Sequence, residues 1–138
     1  MAQSGTAFDV TIIGSGPGGY VAAVRAAQLG LKTAVVEMAA LPGGTCLHWG
    51  CIPTKAMLKT AEVIENARHA AAFGVKVAPP ELDLAAMHKY KDKVVLSNAR
   101  GVEYLFKKNQ VTLVSGRGTL AGSGKVKVEA KDGSTQTL

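Results

Sequence analysis

The sequence has few cysteines, few aromatic residues and no long apolar run. Two cysteines in 138 residues exclude a disulfide-rich secreted scaffold. Charged residues such as Arg25, Lys32 and Lys55 interrupt the apolar stretches, so no run is long enough to predict a membrane-spanning helix. The first residues, Met1 to Asp9, have neither the basic region nor the apolar core of a secretory signal. We therefore expect a cytoplasmic protein.

Basic residues exceed acidic ones, 16 against 10, and give a formal net charge of +6. The basic residues are spread along the chain, and those of one predicted long helix are more typical of a solvated helix face than of a nucleic-acid stripe. Aromatic side chains, which stack on exposed bases, make up only 5% of the sequence. We expect neither a nucleic-acid nor a membrane partner.

The first 40 residues have the pattern of a βαβ unit. Phe8–Ile13 is a short apolar stretch typical of a strand buried on both faces, and a glycine-rich turn follows it. The Ala-rich stretch Tyr20–Leu29 predicts a helix that ends at Gly30, and Thr33–Glu37 predicts a second strand. Such a crossover makes the two strands parallel.

The middle of the chain predicts a glycine-rich loop over Leu41–Gly50 and then two long helices, Ile52–Phe73 and Leu84–Lys108. We expect the two helices to pack as an antiparallel pair. Apolar residues of the second helix recur at spacings near three and four, which predicts a core-facing stripe. These residues are Met87, Tyr90, Val94, Val102 and Leu105.

Strand patterns return after the helices. Val111–Val114 is apolar and is expected to join the parallel sheet. The residues beyond it alternate around turn signals at Ser123-Gly124 and Asp132-Gly133, which predicts an antiparallel meander. The fold class is therefore α/β: a Rossmann-like parallel sheet, a long antiparallel helix pair and a β-meander.

The first chemical motif is a G-x-G-x-x-G turn between the first strand and the first helix. Its residues are Gly14, Ser15, Gly16, Pro17, Gly18 and Gly19. The first glycine permits the tight turn, the second lets a pyrophosphate approach the backbone, and the third lets helix and sheet pack closely. Glu37, 18 residues after Gly19, can accept hydrogen bonds from a ribose diol and would repel a 2′-phosphate. The alternative is a glycine-rich turn beside a surface glutamate, whereas a P-loop is excluded because neither Lys-Ser nor Lys-Thr follows.

The second motif is the pair Cys46 and Cys51, five residues apart. In one regular helix their Cα atoms would lie ~8.7 Å apart, too far for a disulfide, so pairing requires a bend, which Gly50 allows. Cys51 is predicted to open the following helix, where the dipole favours a thiolate. Two structural thiols and a zinc site that includes His48 remain alternatives.

Lys55 stands one turn after Cys51 on the same predicted helix face. Its ammonium could stabilise negative charge on a thiolate or on a reduced ring system. A solvated lysine is the alternative, and spacing alone leaves both open.

Together these motifs make the chain resemble the flavoprotein pyridine nucleotide-disulfide oxidoreductases. The segment 43–55, GGTCLHWGCIPTK, carries the resemblance. Two further segments, AAVRAAQLG at 22–30 and GVEYLFKK at 101–108, make the chain most similar to the members that oxidise dihydrolipoamide. Glutathione and mercuric reductases share most of the redox segment and remain alternatives for the substrate.

The resemblance implies that the glycine turn binds FAD, with Glu37 on the adenosine ribose. The residues implied to bind the cofactor are Gly14, Gly16, Gly18, Gly19, Glu37, Gly43, Gly44, Thr45, Lys55 and Gly118. Lys55 would lie beside the flavin ring and Gly118 near the adenine. No metal site is implied.

The resemblance also assigns the redox roles. Cys46 would be the outer sulfur, which exchanges with a lipoyl dithiol, and Cys51 the inner sulfur, which passes electrons to the flavin. NAD would be the final acceptor. The expected partners are a second copy of the chain in a homodimer and a 2-oxo acid dehydrogenase complex.

The chain departs from this family in length. The resemblance covers Phe8 onward but includes neither a second nucleotide fingerprint nor the family's acid–base His–Glu pair, because His48, His69 and His88 do not match that histidine. We therefore expect residues 1–138 to be the N-terminal part of the FAD-binding domain, without the NAD and interface domains. A non-catalytic FAD-domain fragment is a further alternative.

Overall fold

The computed structural model describes residues 7–138. Its elements in chain order are β1 (Val10–Ile13), α1 (Pro17–Gln28), β2 (Thr33–Glu37), α2 (Gly44–His48), α3 (Cys51–Arg68), a 3₁₀ helix (Ala70–Phe73), α4 (Leu84–Lys108), β3 (Thr112–Ser115), β4 (Arg117–Leu120), β5 (Val126–Glu129) and β6 (Thr135–Thr137). Two compact units divide the chain. The first contains the described residues up to Gly44 together with Ala99–Leu138, and the second is Thr45–Asn98.

A parallel sheet in the order β1-β2-β3 lies at the centre of the first unit. The predicted βαβ unit and the return of the third strand are thus confirmed. All five residues of β2 are buried, as expected of a central strand in a parallel sheet. The expectation of burial on both faces was wrong for β1, whose Ile13 is 45% exposed. β1 has a strand neighbour on one side only within the part described, so it is less enclosed.

The last three strands form an antiparallel sheet in the order β4-β5-β6, which confirms the predicted meander. Gly124 and Gly133 both have positive φ at the predicted turns, a conformation that glycine adopts without strain. The core joins the two sheets, since Val36 of β2 clusters with Val126 and Val128 of β5.

Helix α1 ends in a Schellman motif. The N–H of Leu31 donates to the carbonyl of Ala26 at 3.1 Å, and that of Gly30 to Ala27 at 3.0 Å. Gly30 has φ +86°, so the prediction that this glycine ends the helix is confirmed.

The second unit contains α3 and the first part of α4. A mostly apolar groove of about 330 Å³ lies between the two helices and includes Val63, Ile64 and Met87 in its lining. The predicted single helix over 52–73 was wrong in its last turn, because α3 ends at Arg68 and a 3₁₀ turn follows. Gly74, with φ +75°, closes that turn, since its N–H bonds the carbonyl of Ala71 at 3.0 Å.

The predicted core stripe of α4 was only partly right. Val102 is buried, whereas Tyr90 is 45% exposed and Leu105 37%. The other buried residues of the helix are Ala99 and Phe106. At 3.6 residues per turn these buried positions are centred about a quarter turn away from Met87, so the predicted stripe follows a neighbouring face. Among residues 7–138, no helix is both long and apolar enough to cross a bilayer.

Candidate nucleotide site and redox disulfide

The glycine turn joins β1 to α1 as its sequence predicts. Gly14 has φ +92° and donates its N–H to the carbonyl of Val36 at 2.8 Å, which fixes the turn on β2. A Cβ on Gly19 would lie 2.0 Å from the carbonyl oxygen of Gly14, so helix and turn approach too closely for any side chain. A Cβ on Gly16 or Gly18 would meet nothing within 4 Å. Gly16 is the N-cap residue of α1. Because it has no side chain, no side-chain hydrogen bond caps the helix. No acidic residue in the first turn of α1 offsets the positive potential of this helix end.

Glu37, at the end of β2, points its carboxylate at this turn. Oε2 accepts hydrogen bonds from the N–H of Ser15 at 2.9 Å and from its hydroxyl at 2.5 Å. Oε1 accepts the N–H of Ala39 at 2.8 Å. Glu37 is only 8% exposed, and its carboxylate accepts hydrogen bonds from both the side chain and the backbone of the protein. Its orientation is therefore fixed by the chain itself.

The pKa of Glu37 lies below its ordinary value of 4.5. Burial is the largest single influence and raises the pKa, because it disfavours the charged form. The hydrogen bonds from the Ser15 hydroxyl and from the backbone N–H groups of Ala39, Ser15 and Met38 together outweigh burial. The carboxylate is consequently ionised at neutral pH, as a ribose-binding acid requires.

A cavity of about 220 Å³ opens beside Glu37 at the carboxyl ends of β1 and β2. Its lining includes Gly14, Met38, Arg117 and Gly118. A Cβ on Gly118 would lie 3.1 Å from Ile13, so this glycine lets β4 pack tightly on the sheet at the cavity wall. In α/β sheets, ligands bind in such a crevice outside the carboxyl ends of the strands.

The loop predicted over Leu41–Gly50 contains helix α2, and that part of the prediction was wrong. Gly43 and Gly44, with φ +129° and +64°, turn the chain, after which the Trp49 N–H reaches the Thr45 carbonyl at 2.9 Å. The five-residue helix α2 is too short to give a helical pattern in a glycine-rich sequence. A Cβ on Gly44 would lie 2.6 Å from the Cα of Gly16, so the two glycine turns touch each other directly.

Cys46 and Cys51 form a disulfide in the second unit, with their Cα atoms 4.7 Å apart. The bridge joins α2 to the first residue of α3, and the chain bends at Gly50 between them. A Cβ on Gly50 would lie 3.2 Å from the carbonyl of Thr45, so a side chain at the bend would be crowded. Cys51 is exposed and Cys46 half-buried. The cysteine spacing predicted that pairing requires a bend, and the helix pattern that follows predicted Cys51 at a helix start; both are confirmed.

The structure divides the predicted site residues between the two units. The residues in the first unit are Gly14, Gly16, Gly18, Gly19, Glu37, Gly43, Gly44 and Gly118. Thr45 and Lys55 lie with the disulfide in the second unit. Lys55 is exposed on α3, one turn after Cys51.

Three residues of the nucleotide site escaped the sequence analysis. Ser15 contacts Glu37, while Met38 and Arg117 line the cavity. Ser15 occupies a variable position of the glycine motif, and its polar side chain in an otherwise glycine-rich turn was the available signal. Met38 and Arg117 follow the ends of predicted elements but carry no motif.

A zinc site at the cysteine pair was one alternative. Within the described part of the chain, no group of three or more His, Cys, Asp or Glu residues could hold a metal ion. His48 packs its ring against Trp49, with centroids 5.4 Å apart.

The comparisons with known proteins agree with this geometry. A family description, pyridine nucleotide-disulphide oxidoreductase, matches residues 8–138. Dihydrolipoyl dehydrogenase of Chlorobaculum parvum is 50% identical over 99% of this chain, and the mitochondrial dihydrolipoyl dehydrogenase of Pisum sativum is 52% identical over 91%. Leghemoglobin reductase of Vigna unguiculata is 48% identical over 91%.

The match covers only part of those relatives. The chain spans 29% of the Chlorobaculum protein and 25% of the Pisum protein. The fold is similar to that of LpdA from Mycobacterium tuberculosis, with a TM-score of 0.85 at 24% identity over 94% of this chain and 29% of that one. The chain belongs to the pyridine nucleotide-disulphide oxidoreductase family.

Proposed function

We propose that this chain is the FAD and disulfide segment of an enzyme that oxidises dihydrolipoamide to lipoamide with NAD as the acceptor. The observation that carries the proposal is the Cys46–Cys51 disulfide at the first turn of α3. Disulfides with one sulfur at a helix N-terminus are typical of thiol exchange, because the dipole stabilises the thiolate released there. The redox roles of the two cysteines and the domain assignment remain part of this proposal.

The residues of the first unit fit a dinucleotide such as FAD. Open space at Gly16, the start of α1 without a side-chain cap and the crevice beside Glu37 supply what a pyrophosphate and an adenosine ribose need. Gly14, Gly16, Gly18 and Gly19 would hold the pyrophosphate, and Glu37 the ribose. Gly43, Gly44, Thr45, Lys55 and Gly118 would complete the contacts. When bound, FAD supplies the two-electron link between the cysteine pair and NAD.

The proposed thiol exchange uses the Cys46–Cys51 disulfide as the electron acceptor. A thiolate of dihydrolipoamide attacks Sγ of Cys46, the Cys46–Cys51 bond breaks, and Cys51 leaves as a thiolate. The second substrate thiolate attacks the substrate sulfur of this mixed disulfide, which closes lipoamide and releases Cys46 as a thiolate. The substrate dithiol loses two electrons and the cysteine pair gains them.

Each cysteine has a matched role. Cys51 is the better first leaving group, because it is the first residue of an 18-residue helix with no acidic residue in its first turn. Lys55, one turn further along the same face, adds a positive charge near that thiolate. Cys46 then remains as the sulfur that exchanges with the substrate.

The substrate is the part of this proposal with a specific alternative. Leghemoglobin reductase matches this chain nearly as well as the dihydrolipoyl dehydrogenases do. Sequence similarity in this segment therefore supports the disulfide mechanism more strongly than it supports dihydrolipoamide as the substrate. Assembly as a homodimer, binding to a 2-oxo acid dehydrogenase complex and a cytoplasmic location stay predictions of the resemblance.

The test is NADH formation by the purified full-length protein with dihydrolipoamide and NAD. We expect turnover, and we expect Cys46→Ser and Cys51→Ser each to lower kcat by at least about 10³-fold, because the exchange needs both sulfurs. Oxidised glutathione with NADPH and mercuric ion with NADPH are the comparison substrates. Faster turnover with either would replace the lipoyl proposal, and activity that survives both serine variants would contradict the disulfide mechanism.

A further inference from the structure

The hydroxyl of Ser15 lies between two parts of the candidate nucleotide site. It donates to Oε2 of Glu37 at 2.5 Å and accepts the N–H of Gly43 at 3.1 Å. The carbonyl of Ser15 also accepts that N–H at 3.1 Å. Ser15 is completely buried, so solvent cannot take the place of either partner.

The hydroxyl therefore affects the carboxylate more than the glycine turn. Without it, the N–H of Gly43 keeps the Ser15 carbonyl as an acceptor, whereas Glu37 loses one of its donors. A hydrogen bond to an ionised group is about twice as strong as one between neutral groups. The backbone N–H of Ser15 and that of Ala39 would still hold the carboxylate, but without the side-chain donor.

The same residue connects three segments that approach each other closely. Glu37 ends β2, Ser15 lies within the phosphate turn, and Gly43 begins the turn in which Gly44 touches Gly16. A carboxylate whose rotamer is fixed before the ligand arrives does not lose side-chain entropy on binding. A fixed rotamer therefore favours the binding of any ligand that this carboxylate contacts.

We propose that Ser15 is a positioning residue for the dinucleotide: its hydroxyl relays a hydrogen bond from the Gly43 N–H to the Glu37 carboxylate and aims that carboxylate at the ribose. This inference rests on the proposed function only for the identity of the ligand. The relay itself is a property of the chain and has its own test.

The first test is a double-mutant cycle on FAD affinity in the full-length protein, measured by quenching of flavin fluorescence. Ser15→Ala and Glu37→Gln are each expected to weaken FAD binding on the order of tenfold. Because Ser15 acts through Glu37, the double variant should bind within about threefold of Glu37→Gln alone. Losses that multiply would overturn the proposal.

The second test needs no cofactor, since it measures thermal unfolding of the FAD-free protein against pH. The pKa of Glu37 in the folded chain lies below its ordinary value of 4.5. Its stabilisation is therefore complete above that pH and is lost as the pH falls through the folded pKa. Ser15→Ala moves the folded pKa back toward the ordinary value. The difference in unfolding temperature between wild type and Ser15→Ala should be largest above about pH 5 and shrink on acidification.

A matched control is Thr33→Val, which removes another buried hydroxyl. Thr33 is 1% exposed and donates to the carbonyl of Leu31 at 3.0 Å, with no carboxylate involved. Its effect on the unfolding temperature should not change over the same pH range. Ser15→Thr keeps the hydroxyl and adds one methyl group, so any loss from crowding should likewise be independent of pH.

The two proposals fail in different ways. Absence of FAD binding by the wild type would refute the proposed cofactor and leave the pH test of the relay intact. A Ser15→Ala difference that is constant with pH, or a Ser15→Thr difference that varies with it, would refute the relay whether or not FAD binds.

Discussion

At the scale of single residues, the glycines of the phosphate turn differ in what they do. Packing requires glycine at position 19, because a Cβ there would overlap the carbonyl oxygen of Gly14. A Cβ on Gly16 would meet no atom within 4 Å, so a ligand can approach the backbone at this position. One motif therefore contains both a structural position and a binding position.

Gly19→Ala should destabilise the full-length protein by at least about 2 kcal/mol, because the added Cβ overlaps a backbone oxygen that can only move with the turn. Gly101→Ala is the matched control. Gly101 lies exposed within α4, and a Cβ there meets nothing within 4 Å. That variant should be more stable by about 0.5–1 kcal/mol, since alanine favours the helix. Urea unfolding measures both, and equal effects of the two variants would refute the close approach at Gly19.

At the scale of elements, helices α2 and α3 exist as two pieces because the chain bends between the cysteines. A single helix through this segment would separate Cys46 from Cys51, whereas the bend brings their Cα atoms to 4.7 Å. Glycine at position 50 keeps this bend free of a close contact between a Cβ and the Thr45 carbonyl.

The disulfide predicts the thiol count of the protein. Thiol titration of the air-equilibrated, denatured chain should find no free thiol, and titration after reduction should find two, since the sequence contains only these two cysteines. Cys46→Ser provides the control with one thiol under both conditions. Two free thiols before reduction would contradict the pairing.

At the scale of the whole molecule, the chain leaves many large apolar side chains exposed. Phe73 is 83% exposed, Leu120 80% and Leu29 63%. Apolar exposure on this scale is typical of surfaces that contact other protein. In the described sheet, β1 and β3 each pair with one strand only. Such edges also favour further pairing.

Residues 1–138 alone are therefore expected to bind FAD weakly or not at all, and to form NADH from dihydrolipoamide at no more than the background rate. The phosphate turn and Glu37 supply part of the binding energy, but this chain has no second nucleotide fingerprint to bind NAD. Flavin absorbance after desalting, followed by an assay with dihydrolipoamide, measures both. Stoichiometric flavin together with substantial turnover would show that 138 residues suffice for the reaction.

The sequence by itself determined the features that depend on local chemistry. The bounds of β2 and α4 were predicted correctly, because β2 is built on three consecutive apolar residues and α4 has a long helical period. The glycine turn and the C′ role of Gly30 follow from backbone freedom that only glycine has, as the positive φ angles of Gly14 and Gly30 show. The spacing of Cys46 and Cys51 showed that pairing needs a bend, although other roles for the two thiols stayed open.

The tertiary structure alone decided which surfaces meet. The buried face of α4 is that of Ala99, Val102 and Phe106, because the fold and not the helical period selects it. The short helix α2 depends on two positive φ angles at Gly43 and Gly44, which composition cannot distinguish from a loop. Ser15 meets Glu37 across 22 residues of sequence, since parallel strands bring both to one sheet end. Contacts between distant segments leave no periodic trace in a sequence, so this polar relay became visible only in three dimensions.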